Sequence, residues 1–154
     1  MLGYYENENA TNEIFEDGWL HTGDIGRFDK KGFLHITGRV KDMIVLDNGK
    51  KIFPHEIETL LNNSDIITES FVYAKKENKN LKLGVKLVYS EDNESLIGKS
   101  KDEIFSLLSE EVKKVNNEIP KYKHIQYVTI TTTPLIKTTT QKIKRFEEMK
   151  HIDE

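Results

Sequence analysis

Between Met43 and Leu61 the chain reads MIVLDNGKKIFPHEIETLL, and few folds accommodate that order. Met43 to Leu46 and Lys51 to Phe53 are apolar runs around Asp47-Asn48-Gly49-Lys50. Asn-Gly tolerates positive φ and is the strongest short turn signal, so the stretch predicts a β-hairpin. Pro54 follows at once, and its fixed φ suits the first turn of a helix. Ile57, Leu60 and Leu61 then recur at i, i+3 and i+4, which gives that helix one apolar face. Glu56 and Glu58 lie near its start, where negative charge suits the helix dipole. A hairpin feeding directly into a helix excludes both all-helical and all-β folds.

The remainder extends the pattern. Ile66 to Ala74 and Leu81 to Tyr89 are β-rich runs joined by the charged stretch 75–80, and they predict neighbouring antiparallel strands. Ile104, Leu107, Leu108, Val112 and Val115 repeat at helical spacing through 101–117, and Pro120 stands just beyond. Ile125 to Ile130 reads as a last strand, and a short terminal helix follows from about Ile143. From Ile44 the order is ββαββαβα. That is an α+β domain whose helices cover one face of a small, mostly antiparallel sheet. Upstream, residues 1–17 are polar with scattered aromatics and one short helix at Ala10 to Phe15, starting near Thr11 or Asn12. Trp19-Leu20, Ile25 to Phe28 and Phe33 to Thr37 then make a β meander turning at Asp29 to Gly32 and ending at Gly38-Arg39. The domain break falls in Arg39-Val40-Lys41-Asp42.

Composition narrows the function. The chain has 154 residues, 36% hydrophobic and 32% charged, with a formal net charge of -3. Acids and bases are interspersed, which argues against a nucleic-acid surface. There is no cysteine, hence no disulfide, zinc-thiolate site or thiol nucleophile. No apolar run approaches a membrane span, and a cytoplasmic protein is the default expectation. His21, His35, His55, His124 and His151 are scattered without ligand spacing.

PLIKTTTQKIKR, residues 134–145, is the oddest stretch. Its polar side chains follow no apolar stripe, so it reads as a flexible, hydroxyl-rich, cationic loop that packs no core. On residue type alone, Lys142 is one solvated lysine in a basic tail that also holds Lys137, Lys144 and Arg145. Asp24 is a turn aspartate beside glycine, Arg39 an exposed arginine at a strand end, and Gly49 a turn glycine.

Taken together, GYYENENAT, DGWLHTGDIG, GRVKDMIVLDNGKKIFPHEIE and PLIKTTTQKIKR resemble, in order and across nearly the whole chain, the adenylate-forming superfamily. That superfamily includes acyl-CoA synthetases, peptide-synthetase adenylation domains and beetle luciferases, and the chain looks most like a bacterial fatty acyl-CoA synthetase. The resemblance implies that residues 1–39 are the last strands of a larger nucleotide-binding domain, 40–41 a hinge, and 42–154 a C-terminal lid. The phosphate loop, acyl pocket and Mg²⁺ ligand of the family belong to that larger domain. The activity implied joins a fatty acid to coenzyme A at the expense of ATP, through an acyl-adenylate, and the isolated chain is expected to be inactive. Its expected partners are its own N-terminal domain, ATP, a fatty acid and coenzyme A, with no nucleic acid and no transmembrane segment.

By the same resemblance, Lys142 aligns with the catalytic lysine of adenylate formation. Asp24 and Arg39 align with residues that contact the nucleotide ribose. Lys41 takes the hinge position, and Gly49 the hairpin along which coenzyme A's pantetheine arm passes. One departure stands out: the family usually has glycine before the lysine, and here Gln141 occupies that place. An adenylation domain that loads a carrier protein, and a non-catalytic binding module, are the alternative readings. A carrier-loading domain usually has aspartate at the hinge, so Lys41 leans against the first. Overall acidity leans against a nucleic-acid form of the second.

Overall fold

The computed structural model describes residues 1–77 and 80–152, in two compact units, Met1–Asp42 and Met43–Glu154.

In the first unit, helix α1 spans Glu8–Ile14. It starts earlier than the sequence predicts, because Asn7 caps it: the Asn7 Oδ1 accepts from the Ala10 N–H at 3.0 Å. Thr11, expected near the start, instead bonds back to the Asn7 carbonyl at 2.8 Å. A short antiparallel pair follows, β1 (Phe15–Glu16) and β2 (Trp19–Leu20). Next comes a longer hairpin, β3 (Asp24–Phe28) and β4 (Leu34–Arg39), with a register irregularity at Ile25/Gly26. Phe28 pairs with Leu34 and Gly26 with Ile36, so Phe28, Leu34 and Ile36 share a face. All three are more than half exposed. A single 3-10 turn, Val40–Asp42, ends the unit.

The second unit opens with the predicted hairpin, β5 (Ile44–Val45) and β6 (Lys51–Ile52), and helix α2 (Pro54–Leu61) starts on Pro54. Strands β7 (Glu69–Glu77) and β8 (Asn80–Val88) pair antiparallel; the turn of the predicted 75–80 loop lies outside the described residues. Helix α3 (Lys101–Glu118) begins with a reciprocal cap between Ser100 and Glu103. The Ser100 N–H meets the Glu103 carboxylate at 2.7 Å and holds that carboxyl below its ordinary pKa. Strand β9 (Ile125–Thr131) then joins β8, giving the order β7-β8-β9.

The α+β architecture with small antiparallel sheets is as expected, with two refinements. First, β9 runs parallel to β8, which a crossover through α3 permits and a tight turn would not. Second, α2 and α3 cover one face through Ile57, Leu61, Ile104 and Leu108 packed on Val72, Val85 and Leu87. The opposite face carries Phe71, Tyr73 and Val88, and the C-terminal segment covers it through Leu135, Ile143 and Ile152. Short helix α4 (Arg145–Lys150) belongs to that segment. The expectation that 134–145 packs no core is therefore corrected. Its polar middle is solvated, but Leu135 is 4% exposed and Ile143 packs beside it. The apolar residues sit at its two ends, so no periodic stripe reveals them.

Strand β8 also holds a close approach. A Cβ at Gly84 would lie 2.5 Å from the Tyr73 ring, which rests over that glycine from the paired position on β7. Gly84→Ala is expected to lower stability by about 1–3 kcal/mol, the usual cost of overpacking. The denaturant midpoint of the variant against the parent chain measures it.

Candidate functional site

The hairpin carrying Lys142 is built by hydrogen bonds, not by propensity. The Lys144 N–H donates to the Ile136 carbonyl and the Thr138 N–H to the Lys142 carbonyl, both at 2.8 Å. The Gln141 N–H reaches the Thr138 carbonyl at 3.0 Å, and Gln141 has φ +62°. This is the pattern of a three-residue hairpin loop closed by a left-handed residue. The β5–β6 loop closes in the same way: Leu46 N–H to Lys50 carbonyl, Gly49 N–H to Leu46 carbonyl, and Gly49 at φ +75°. Gly49 and Gln141 are thus geometric equivalents, and each precedes a lysine. Gln141 takes the glycine conformation rather than rerouting the loop. Thr138 supports it, since its Oγ1 meets the Lys142 N–H at 3.2 Å and the Thr140 hydroxyl at 3.0 Å.

Three buried or half-buried ion pairs hold this hairpin to the sheet. Lys137 Nζ meets Glu69 at 2.6 Å, and Glu69 also accepts the Leu135 N–H at 3.1 Å. Glu148, 2% exposed, accepts from Lys86 Nζ at 2.6 Å and from the Ile136 N–H at 2.9 Å. Arg145 lies over the Phe71 ring and crosses the outer edge of β7. One guanidinium nitrogen reaches the Val72 carbonyl at 3.3 Å and the other the Glu58 carboxylate at 2.6 Å. The second Glu58 oxygen accepts the Val72 N–H at 2.8 Å. Both outward-facing backbone groups of Val72 are satisfied in this way.

That geometry corrects the expectation that Glu58, like Glu56, serves the helix dipole. Glu56 does lie in the first turn of α2 and pairs with Lys123 at 2.7 Å. Glu58 is 4% exposed and serves the sheet edge. The hydrophobic pattern gave one clue, because Glu58 adjoins Ile57 and stands three residues before Leu61 on the buried side. Lys86, Glu69 and Glu148 gave none, since their ion-pair partners lie 62 or more residues away, as in the Lys86–Glu148 pair.

Lys142 differs from its neighbours. Lys137, Lys144 and Arg145 are each ion-paired, with Glu69, Glu147 and Glu58. Lys142 is exposed, and among the described residues its ammonium has no carboxylate partner. In the first unit, β3–β4 pairing sets Asp24 opposite Arg39, with Arg39 Nε 2.8 Å from Asp24 Oδ1. Among the described residues no donor meets Asp24 Oδ2. Lys41 lies in the exposed 3-10 turn, and a Cβ at Gly49 would meet nothing within 4 Å. The structure thus brings Asp24 and Arg39 together, and Gly49 and Lys142 stand at two separate hairpin tips. The histidines are dispersed: His35 bonds Asp29, His21 pairs with Glu16, and His124 meets the Ile119 carbonyl. Among the described residues, no group of three or more acids or histidines is arranged to hold a metal. No described helix is long and apolar enough to cross a membrane.

The family model of the AMP-binding enzyme C-terminal domain matches residues 41–151. The chain belongs to that family. The AMP-binding C-terminal domain described here is 45% identical over 78 residues to the long-chain-fatty-acid–CoA ligase ACSBG2 of Rattus norvegicus. That stretch is 49% of this chain and 12% of the rat enzyme. It is 52% identical over 61 residues to the long-chain-fatty-acid–CoA ligase of Salmonella typhimurium, 40% of this chain and 11% of that enzyme. Among solved structures, the o-succinylbenzoate CoA synthetase of Bacillus subtilis in complex with its acyl-adenylate intermediate superposes with a TM-score of 0.73 at 27% identity. The match covers 94% of this chain and 27% of that one. The domain therefore spans only a small part of the enzymes it resembles.

The loop geometry generates a stability test. A β-branched residue at position 141 is strained at positive φ, and glycine is not. Gln141→Val is expected to lower the unfolding free energy by more than about 1 kcal/mol, while Gln141→Gly leaves it unchanged or slightly raised. Chemical denaturation of the two variants checks the order.

Proposed function

We propose that this chain is the C-terminal lid of an ATP-dependent fatty acyl-CoA synthetase, and that Lys142 is its catalytic cation. The observation that carries this reading is the contrast at residues 137–145, where every cation except Lys142 is committed to a carboxylate among the described residues. A lysine held at a hydrogen-bonded tip, exposed and without a counterion, suits delivery to an anion on another surface. Kinship with long-chain-fatty-acid–CoA ligases supplies the substrate class.

The reaction has two halves. The fatty acid carboxylate attacks the α-phosphate of ATP, forming acyl-adenylate and releasing diphosphate. The thiol of coenzyme A then attacks the acyl carbon, AMP leaves, and a thioester results. In the first half two anions must approach each other, and a positioned ammonium offsets their repulsion and stabilises the charge that develops. Lys142 fills that role in this reading. Asp24 suits the vicinal ribose hydroxyls, because Arg39 fixes one carboxylate oxygen and leaves the other to accept. Lys41 is the pivot between the halves, and the Gly49 tip the surface along which the pantetheine arm passes, open enough for close approach. Mg²⁺ belongs to the larger partner domain in this reading.

The exposed face of Phe28, Leu34 and Ile36, together with Trp19, Tyr4 and Tyr5, fits packing against that larger domain. The chain alone then has one wall of a nucleotide site. Calorimetry is expected to show no saturable ATP binding to residues 1–154; tight binding would contradict the reading.

In the enzyme that carries this chain, Lys142→Ala is expected to slow acyl-adenylate formation by roughly 10²–10³-fold, the scale of a lost oxyanion contact. Thioester formation from supplied acyl-adenylate should persist. Equal loss in both halves, or in neither, would count against the role given to Lys142.

A further inference from the structure

We propose that Arg145 is a positioning residue for Lys142, acting with Glu58 as a latch across the edge of the sheet. The inference rests on the catalytic reading of Lys142 and adds what aims it. The Lys142 tip is a short hairpin whose closing residue, Gln141, holds a conformation that ordinary side chains adopt at a cost. Its own hydrogen bonds span only Ile136 to Lys144. Such a loop keeps one orientation only if both of its arms are anchored.

The incoming arm is anchored by Glu69, which takes both the Leu135 N–H and the Lys137 ammonium, and by Glu148, which takes the Ile136 N–H. The outgoing arm is anchored by Arg145, three residues after Lys142. Its guanidinium bridges two elements, reaching the Val72 carbonyl on β7 and the Glu58 carboxylate on α2. Glu58 is itself fixed by the Val72 N–H, so its carboxylate cannot swing away without leaving a buried donor unpaired. The planar fork of arginine serves both acceptors at once, which a point-charge ammonium does not. With its carboxylate buried and its guanidinium half-buried, the latch transmits the rigidity of the sheet to the loop. A catalytic group must be held within about half an ångström of its working position, and beyond the apolar contact of Ile143 this latch is the polar tie that fixes the outgoing arm to α2 and β7.

The latch bears on one half of the chemistry only. Lys142 acts in adenylate formation and has no part in the attack by coenzyme A, so a loosened latch impairs the first half selectively. A merely structural residue would weaken the lid and slow both halves together.

Two measurements test this. In the chain of residues 1–154, amide exchange at Thr138, whose N–H closes the hairpin, is expected to speed about tenfold or more in Arg145→Lys while the β8 amides hold. Uniform acceleration across the sheet, or no change at Thr138, overturns the latch whatever the chain catalyses. In the parent enzyme, Arg145→Lys and Arg145→Ala are expected to slow acyl-adenylate formation at least tenfold, with thioester formation from supplied acyl-adenylate within twofold of the parent. If Arg145→Ala does not fold, Arg145→Lys carries the test, because it retains the charge opposite Glu58. Parallel loss of both halves, or of neither, overturns the positioning role. Lys142→Ala, run alongside, separates the two failures. If it spares adenylation, the catalytic reading falls and this inference with it. If it abolishes adenylation and the Arg145 variants do not, only this inference falls.

Discussion

The Glu58 carboxylate is the point on which the second unit turns. It sits buried in the contact between α2 and β7, and both oxygens are committed, one to a backbone N–H and one to Arg145. A lone buried carboxylate in such a place would be costly, and it is tolerable because a cation and a donor meet it. The arrangement also solves a second problem. Strand β7 is an edge, and an edge strand exposes unpaired backbone groups that invite other chains. Here a side-chain pair fills that role at Val72, and a third element is tied to the sheet in doing so. Edge closure, helix docking and the anchoring of the C-terminal segment therefore share one set of atoms.

The same economy recurs on the far face of the sheet. Glu69 and Glu148 each take one backbone N–H and one ammonium, and between them they fix residues 135 to 137. Hydrophobic contact supplies the rest, through Leu135 and Ile143 on Phe71 and Tyr73. Apolar burial sets where the segment lies, and the carboxylates set its register. Between the two anchored arms, the 138–142 tip is closed by its own hydrogen bonds, and it carries the lysine that no acid among the described residues claims.

Much of this was legible from local chemistry. Asn48-Gly49 announced its hairpin, Pro54 its helix, and the spacing of Ile104, Leu108 and Val112 the long helix, because each signal is short-range and physically specific. The motif order placed Lys142, Asp24, Arg39, Lys41 and Gly49 in one chemical scheme. Hidden were the features that depend on distant partners. Nothing near Arg145 reveals Glu58, 87 residues away, and nothing in the alternation of β8 reveals that β9 will lie parallel to it. The start of α1 was misplaced because capping by Asn7 outweighed the polar character of the residues after it. The contribution of the 134–145 segment to the core is hidden because one buried and one half-buried residue near its ends are too few to form a pattern.

The polarity of the chain gives these ion pairs a consequence during biosynthesis. Glu58, Glu69 and Lys86 leave the ribosome well before the groups that neutralise them, and Phe71 and Tyr73 wait for the same late segment. Until it arrives, the nascent sheet holds uncompensated charge along one rim and bare aromatic surface on one side. The sheet of this unit is therefore completed only once residues 135–148 have been made, so its folding is coupled to synthesis of that segment.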